Sequence, residues 1–427
     1  MRKEYTPFEW ICIDIANQNG LDKKLFEERV QWVKDNMNQL MVLATETKER
    51  PLYVKAVMAM QKAMRGQPTG HLVGLDATCS GMSIMSVLTK CYNGCFATNL
   101  IDPNVRNDAY TMVTDAASEK LWEGVNHLVN PTNKVSRADA KDATMTALYG
   151  SQATPREIFG EDTPELDAFY AGLEQVAPLA VELLGDLRSA WQPFALKHSW
   201  ILPDNFHVVI PVMQKVEGAR VEVDELGHST FSYDYYVNEG TKKDLKLVAN
   251  VTHGFDAYLV RSMERRCNYN PFMVRRSLAA LIYEQAERDN GDAVEQHKDG
   301  EPENLAEVLV VRWFASRVPD ARLFDVLTSQ TIKLMDELHI EQMIRMANEM
   351  LKHKPFEIVT VHDEFKCHPN NCNQMCFHYA SILADLARGR ALEDVLEQIT
   401  GHTPHYDRAM DGNELAELIM ESRYAIS

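Results

Sequence analysis

No apolar run in this chain approaches the ~18 residues that a membrane-crossing helix needs. The opening segment, Met1-Arg-Lys-Glu-Tyr-Thr-Pro-Phe-Glu-Trp10, has no apolar signal core, and Glu4 and Glu9 do not suit a transit peptide. These absences predict a soluble, intracellular protein. Eight cysteines are scattered without a secretory signal, so free thiols are expected rather than a disulfide framework. No internal repeat of solenoid period is visible. Basic residues are also scarce: 44 Lys and Arg against 62 Asp and Glu leave a net charge of −18. Phosphate binding needs a basic surface, so nucleic acid suits this chain only if cations gather in one cleft or a partner supplies them. What is present is a 427-residue chain that is 45% apolar, enough for a large core. That excludes wholesale disorder and predicts two or three domains, or one lobed enzyme.

Apolar spacing of three and four predicts helices over 23–47 and 53–65, the second ending at the turn cluster Arg65-Gly66-Gln67-Pro68. His71 to Asp76 reads as a strand and Met82 to Cys91 as a helix, with helix dominant from 105 to 198. Between 207 and 249, β-branched and aromatic alternation around Gly227 predicts a long hairpin, bounded at 221–247. Helix returns over 254–287. The polar stretch from Arg288 to Pro302 reads as a mobile loop. Glu341 to Leu351 is expected as a helix whose methionines, Met343 to Met350, belong to a core. Phe356 to Val361 is expected as a buried strand. Short strands among many helices predict an α+β fold. Cys367, His368, Cys372, Cys376 and His378 invite a zinc reading, but their spacing suits packing on a helix face better.

Chemistry concentrates in three places. Gly74-Leu-Asp76-Ala-Thr-Cys-Ser-Gly81 and Val361-His362-Asp363-Glu-Phe365 each put a carboxylate where a short apolar run meets a turn. Brought together, Asp76 and Asp363 can hold two hard divalent cations through oxygen. Between them runs Arg137-Ala-Asp-Ala-Lys141 to Tyr149-Gly150, read as a helix ended by glycine. At about 100° per residue, Lys141 lies about 40° round from Arg137 and Tyr149 about 80° further, so the three share one side. A triphosphate at the N-terminal end would meet both cations and the helix dipole, leaving a sugar or base for Tyr149. The layout suits phosphoryl or nucleotidyl transfer.

These motifs resemble those of the single-subunit bacteriophage and mitochondrial RNA polymerases. Asp76-Ala-Thr-Cys-Ser-Gly81 is similar to the family's D-G-S-C-S-G. Arg137, Lys141, Tyr149 and Gly150 match its R-x-x-x-K…Y-G fingers helix, and His362-Asp363-Glu364-Phe365 matches its H-D-S/C-F/Y. Weaker matches put Lys23 in a palm segment near the nucleotide and primer terminus, and Lys90 where the family has an arginine. Asn250-Val-Thr-His253-Gly-Phe-Asp256 resembles a turn whose histidine reads the ribose, and the segment ending in Tyr424, Ile426 and Ser427 resembles a tail that folds back near the active site. The resemblance implies a right-hand architecture: palm over 1–95, fingers over 96–252, and palm again over 253–427 with a helical insertion at about 265–345. It implies two Mg2+ ions on Asp76 and Asp363, catalysis by these with Lys141 and Tyr149, and substrate contacts from Arg137, Lys141, Tyr149, Gly81, Lys23, Lys90 and His253. His362 either supports Asp363 or takes part directly. DNA template, RNA product and ribonucleoside triphosphates are the implied partners, in the cytoplasm, infected bacterial cytoplasm for a phage protein.

Three departures stand out. His253 precedes His362 by 109 residues, where the family has a few tens, so Lys333 rivals it for the ribose-reading position. Ile426 stands where the family has phenylalanine. No counterpart of the thumb or promoter-binding region precedes the match, so the larger subunit of a split, heterodimeric enzyme is expected, with a second subunit and a recruiting DNA-binding factor as partners. A family-A-like DNA polymerase fragment shares the fingers motif, but carries a ribose-blocking glutamate where Gly81 stands. An inactive scaffold for single-stranded nucleic acid is the other alternative.

Overall fold

The computed structural model describes residues 3–124, 135–237, 239–241, 246–291, 295–296, 300–407 and 409–427. Among the described residues helices dominate, and the strands form three small antiparallel sheets, an α+β organisation. The central sheet has Glu364–Cys367 between Val73–Asp76 and Val359–Val361. Its period-two alternation buries Val73, Leu75, Phe365 and Cys367 on one face and leaves Gly74 and Lys366 on the other. Against the buried face lies the Cys372–Arg388 helix, where Tyr379 meets Phe365 edge-to-face at 5.5 Å. This helix also packs on Gly412–Glu421, Lys246–Cys267 and Ser80–Leu88. Pro7–Gln18 opens on a Thr6/Glu9 capping box and is buried continuously from Trp10 to Ala16.

A second core gathers residues between Tyr269 and Met350. It is built by Pro271–Asp289, Leu305–Ser316 and Glu337–Met350, and Met343, Met346 and Met350 all point into it. The ribbon Gln214–Val223 with Ser229–Val237 stands in solvent, its second strand exposed at every position up to Tyr236.

Several boundaries differ from the sequence reading, each for a local reason. The helix expected over 23–47 stops at Asp35, because Asn36 Nδ2 turns back to the Trp32 carbonyl at 2.8 Å; a second short helix spans Leu40–Leu43. The helix expected over 254–287 begins earlier, at Lys246, and is two helices: Asn270 accepts from the Phe272 amide and Pro271 opens Pro271–Asp289. The hairpin spans 214–237 rather than 221–247; residues 238 and 242–245 of the expected range lie outside the described residues. The strand before His362 is Val359–Val361 and is exposed, since it has a neighbour on one side only. Residues 292–294 and 297–299 of the polar stretch also lie outside the described residues.

Candidate active site

Ladder register sets the two acidic residues side by side. Val73–Asp76 runs antiparallel to Glu364–Cys367 with Asp76 opposite Glu364, and the Ala77 amide donates to the Asp363 carbonyl at 3.3 Å. His362 makes the tight turn before Asp363 in the left-handed region, at φ 55°. Both carboxylates open onto a cleft of about 880 Å³. Nine of the ten candidate residues line it: Asp76, Asp363 and His362 from the sheet, Lys23 from the N-terminal segment, and Gly81, Arg137, Lys141, Tyr149 and His253 from the helices.

Lys90 is the exception. It adopts φ 55° just after the Ser80–Leu88 helix, and its ammonium pairs with Glu393 at 3.2 Å. The expectation that it contacts substrate is therefore corrected: the turn carries it to a different part of the surface. Of the two rivals for the ribose position, only His253 reaches the cleft. Lys333 does not line the cleft and its carbonyl accepts from the Gln296 amide at 2.7 Å, whereas His253 lies in the cleft. The segment around His253 is not a turn but the interior of Lys246–Cys267, where Val248, Val251, Phe255 and Leu259 supply a buried stripe of helical spacing.

The cations come from a helix held at its start. Ser136 accepts from the Asp139 amide at 3.1 Å and caps Arg137–Leu148. Arg137 Nε donates to Asp108 at 2.6 Å, and Arg137 and Lys141 both approach the Tyr110 ring, at 5.8 and 5.9 Å. Burial would raise the Asp108 carboxyl, but the Arg137 bond and the nearby Lys23 outweigh it and lower its pKa. At the far end Tyr149 stacks on His253 with centroids 4.5 Å apart, and its hydroxyl donates to Asp256 at 3.3 Å. Burial and the Asp256 carboxylate raise the Tyr149 pKa, so the hydroxyl stays protonated. A Cβ on Gly81 would come within 3.2 Å of the Tyr149 ring.

Negative charge is crowded at the sheet end. Asp76 keeps an exposed edge, yet the cleft walls displace enough water that burial, followed by Asp363 and Glu364, pushes its carboxyl up to about 6. Burial and then Asp363 push Asp256 to about 6 as well. Glu364 is balanced by Lys366 at 2.9 Å, but Asp76 and Asp363 have no ion pair among the described residues. Two unpaired oxygen donors that repel each other make the donor set a hard divalent cation requires. The residues fit such a group.

The tail reaches the same place. Ile426 bridges Ala77, and the Ser427 amide donates to the Asp76 carbonyl at 3.0 Å. Ile426 itself is fully buried. Sequence reasoning missed Asp108 and Tyr110, whose only local signal is a helix-capping aspartate, and did not assign a role to Asp256, although it ends the quoted Asn250–Asp256 motif. The zinc reading finds no support: among the described residues, the one group of three suitable ligands is Glu222, Asp224 and His228, exposed at the hairpin turn and away from the cleft.

Residues 3–157 match the family model for DNA-dependent RNA polymerase. Through this stretch the chain is similar to that family. A DNA-directed RNA polymerase of Pseudomonas phage phiKMV is 27% identical over 169 residues, 33% of this chain and 21% of the relative. A probable DNA-directed RNA polymerase of Neurospora crassa is 27% identical over 159 residues, 34% of this chain and 18% of the relative. The chain thus aligns with about a fifth of the length of these relatives. The matched family segment contains Lys23, Asp76, Gly81, Arg137, Lys141 and Tyr149; Asp363 and His253 reach the cleft from beyond it. The matches give no support to a second subunit or a recruiting factor. Among the described residues, no helix is long and apolar enough to cross a membrane.

Proposed function

We propose that this chain is the catalytic body of a DNA-directed RNA polymerase, adding ribonucleotides to an RNA end on a DNA template. The observation that carries the reading is the convergence of Asp76 and Asp363 with Arg137, Lys141 and Tyr149 on one cleft, from segments far apart in sequence. In this reading the central sheet and its helices are the palm, and the Arg137–Leu148 helix belongs to the fingers. Asp76 and Asp363 would hold two Mg2+ ions, which when bound make the RNA 3′-hydroxyl more acidic and neutralise the triphosphate.

The chain's own groups supply the rest. Lys141, exposed and free of any ion pair among the described residues, would meet the phosphates and protonate the departing pyrophosphate. Arg137 is held in place by Asp108 and can turn a guanidinium edge toward the triphosphate. Lys23 approaches the phosphates from the other wall of the cleft. Tyr149 offers its ring to the incoming sugar and base, and His253, kept neutral because burial lowers its pKa, supplies a polar edge near the 2′-position. Gly81 leaves room there.

Single-nucleotide extension of a primed template in Mg2+ tests this. The parent should incorporate ribonucleotides in preference to deoxyribonucleotides. Asp76→Asn and Asp363→Asn should each lower the rate by at least about a thousandfold while retaining the fold. Residual activity within about tenfold of the parent would remove the two carboxylates from the chemistry. A parent that prefers deoxyribonucleotides is a DNA polymerase, and one with no incorporation at all is a nucleic-acid-binding scaffold.

A further inference from the structure

A second cavity, of about 410 Å³, lies between the Glu337–Met350 and Cys372–Arg388 helices and shares no residue with the cleft around Asp76. The first of these helices contributes to the second core and the other to the main core. Part of the lining is apolar, from Met346, Met350, Phe377 and Met420, but three guanidinium groups, of Arg266, Arg345 and Arg388, line it too. Against them the lining sets two carboxylates, Asp385 and Glu349, which leaves one positive charge in excess, in a chain whose net charge is −18.

Arg266 is 2% exposed. Its Nη1 donates to Ser381 Oγ at 2.9 Å and its Nη2 to Asp385 Oδ2 at 2.7 Å, but the buried Nε–H meets no acceptor among the described residues. Each Nη carries a second N–H beyond these two bonds, and Arg266 is part of the cavity lining. The other two arginines are loosely held: Arg388 lies 3.9 Å from Asp385 and Arg345 lies 3.9 Å from Glu341. The carboxylates offer little competition, since Asp385 is shared by two arginines and Glu349 is taken by Lys352 at 2.7 Å. His378 faces His353 at 2.7 Å between their Nε2 atoms, and burial followed by the Arg266 charge holds it neutral, well below the ordinary histidine range.

We propose that this cavity binds a small phosphate-bearing ligand of mononucleotide size, its phosphate on the three guanidinium groups and its ring against Phe377 and the methionines. The planar guanidinium fork matches phosphate oxygens, and methionine adapts to the outline of a ring. The volume falls within the range of small-molecule sites. Because Arg345 comes from the second core and Arg266 and Arg388 from helices of the main one, the bound phosphate ties the two cores together.

Isothermal titration of the full chain with AMP, in buffer containing a metal chelator, tests the proposal apart from polymerase activity. AMP should bind at least about tenfold more tightly than adenosine. Replacing Arg345→Ala and Arg388→Ala together should weaken AMP by at least about tenfold, and the melting temperature without ligand should stay at the parent's value, because both side chains are exposed. Replacing Arg137→Ala and Lys141→Ala, in the other cleft, should leave AMP binding within about twofold of the parent. The proposal is overturned if AMP gives no heat up to about 10 mM. It is also overturned if adenosine binds equally well, or if binding follows the Arg137 and Lys141 pair instead.

Discussion

At the scale of single residues, the proposed sugar discrimination would rest on a stack rather than on a charge. Tyr149 is fixed from two sides, by the His253 ring against its face and by Asp256 on its hydroxyl. Removing only the hydroxyl in Tyr149→Phe keeps the ring and deletes the bond. We expect the preference for ribo- over deoxyribonucleotides to fall by about tenfold, the worth of one polar contact to a 2′-hydroxyl or its neighbours, with the rate on ribonucleotides little changed. Competition assays with matched NTP and dNTP pairs measure it, and an unchanged ratio would take the hydroxyl out of sugar selection. This level of the site was largely legible in the sequence, because Asp76, Arg137, Lys141, Tyr149 and Asp363 sit in short motifs whose spacing fixes their local geometry. Asp108 and Tyr110 were not, since their importance arises from where the Ala109–Gly124 helix starts in space, not from any pattern around them. Lys90 misled for the converse reason: its position in the motif is regular, but a left-handed turn and Glu393 redirect it.

At the scale of elements, the hairpin stands apart from everything else in the fold. The register puts Val221 beside Phe231 and Ala219 beside Tyr233, so Val221, Phe231, Tyr233 and Tyr235 share one face while Glu222, Arg220 and Ser232 share the other. An apolar ribbon face left in water is marginal by itself and gains stability by lying on something. Replacing 214–237 by a short linker should therefore change start-site choice or template affinity by several-fold while leaving extension of a preformed primer unaltered. Run-off transcription and gel-shift titrations read the two effects, and no change in either reduces the hairpin to a structural element. Its existence followed from β-branched and aromatic alternation around Gly227; its limits did not, because alternation continues into the start of a helix. The two long helices predicted over 23–47 and 254–287 failed at asparagines, Asn36 and Asn270, whose side chains bond to nearby backbone in a way periodicity does not register.

At the scale of the whole molecule, a small polar cluster fastens residues from opposite ends of the chain. Glu27 takes the Lys3 ammonium at 2.7 Å and the Tyr5 hydroxyl at 2.9 Å, and pairs with Arg423. Partial burial would raise the Glu27 carboxyl, but its hydrogen bonds, led by Lys3 and joined by Arg423 and Tyr5, outweigh that and hold it at about 2. A carboxyl lowered by folding adds stability at every pH above its unfolded value, and loses it as pH falls toward its folded value. The clamp should therefore weaken between about pH 4.5 and 2. Glu27→Gln should lower the melting temperature at neutral pH and lose less stability than the parent through that window. Urea melts at a series of pH values check this; parallel curves for the two proteins would show that Glu27 contributes nothing to acid lability. None of this cluster was legible beforehand, because nothing local links residue 27 to residue 423.

The pairing of Asp76 with Glu364 on adjoining strands has a consequence for tolerance to change. The spacing of the two cleft carboxylates, Asp76 and Asp363, is inherited from peptide hydrogen bonds, whose dimensions are the same for every sequence, and not from the shapes of neighbouring side chains. A chain that keeps the register can therefore exchange most of its surroundings without detuning the centre. A slip of a single residue would turn Asp76 to the opposite side of the sheet, away from the cleft. Drift should thus be wide in the packing around this ladder and nearly absent in its alignment.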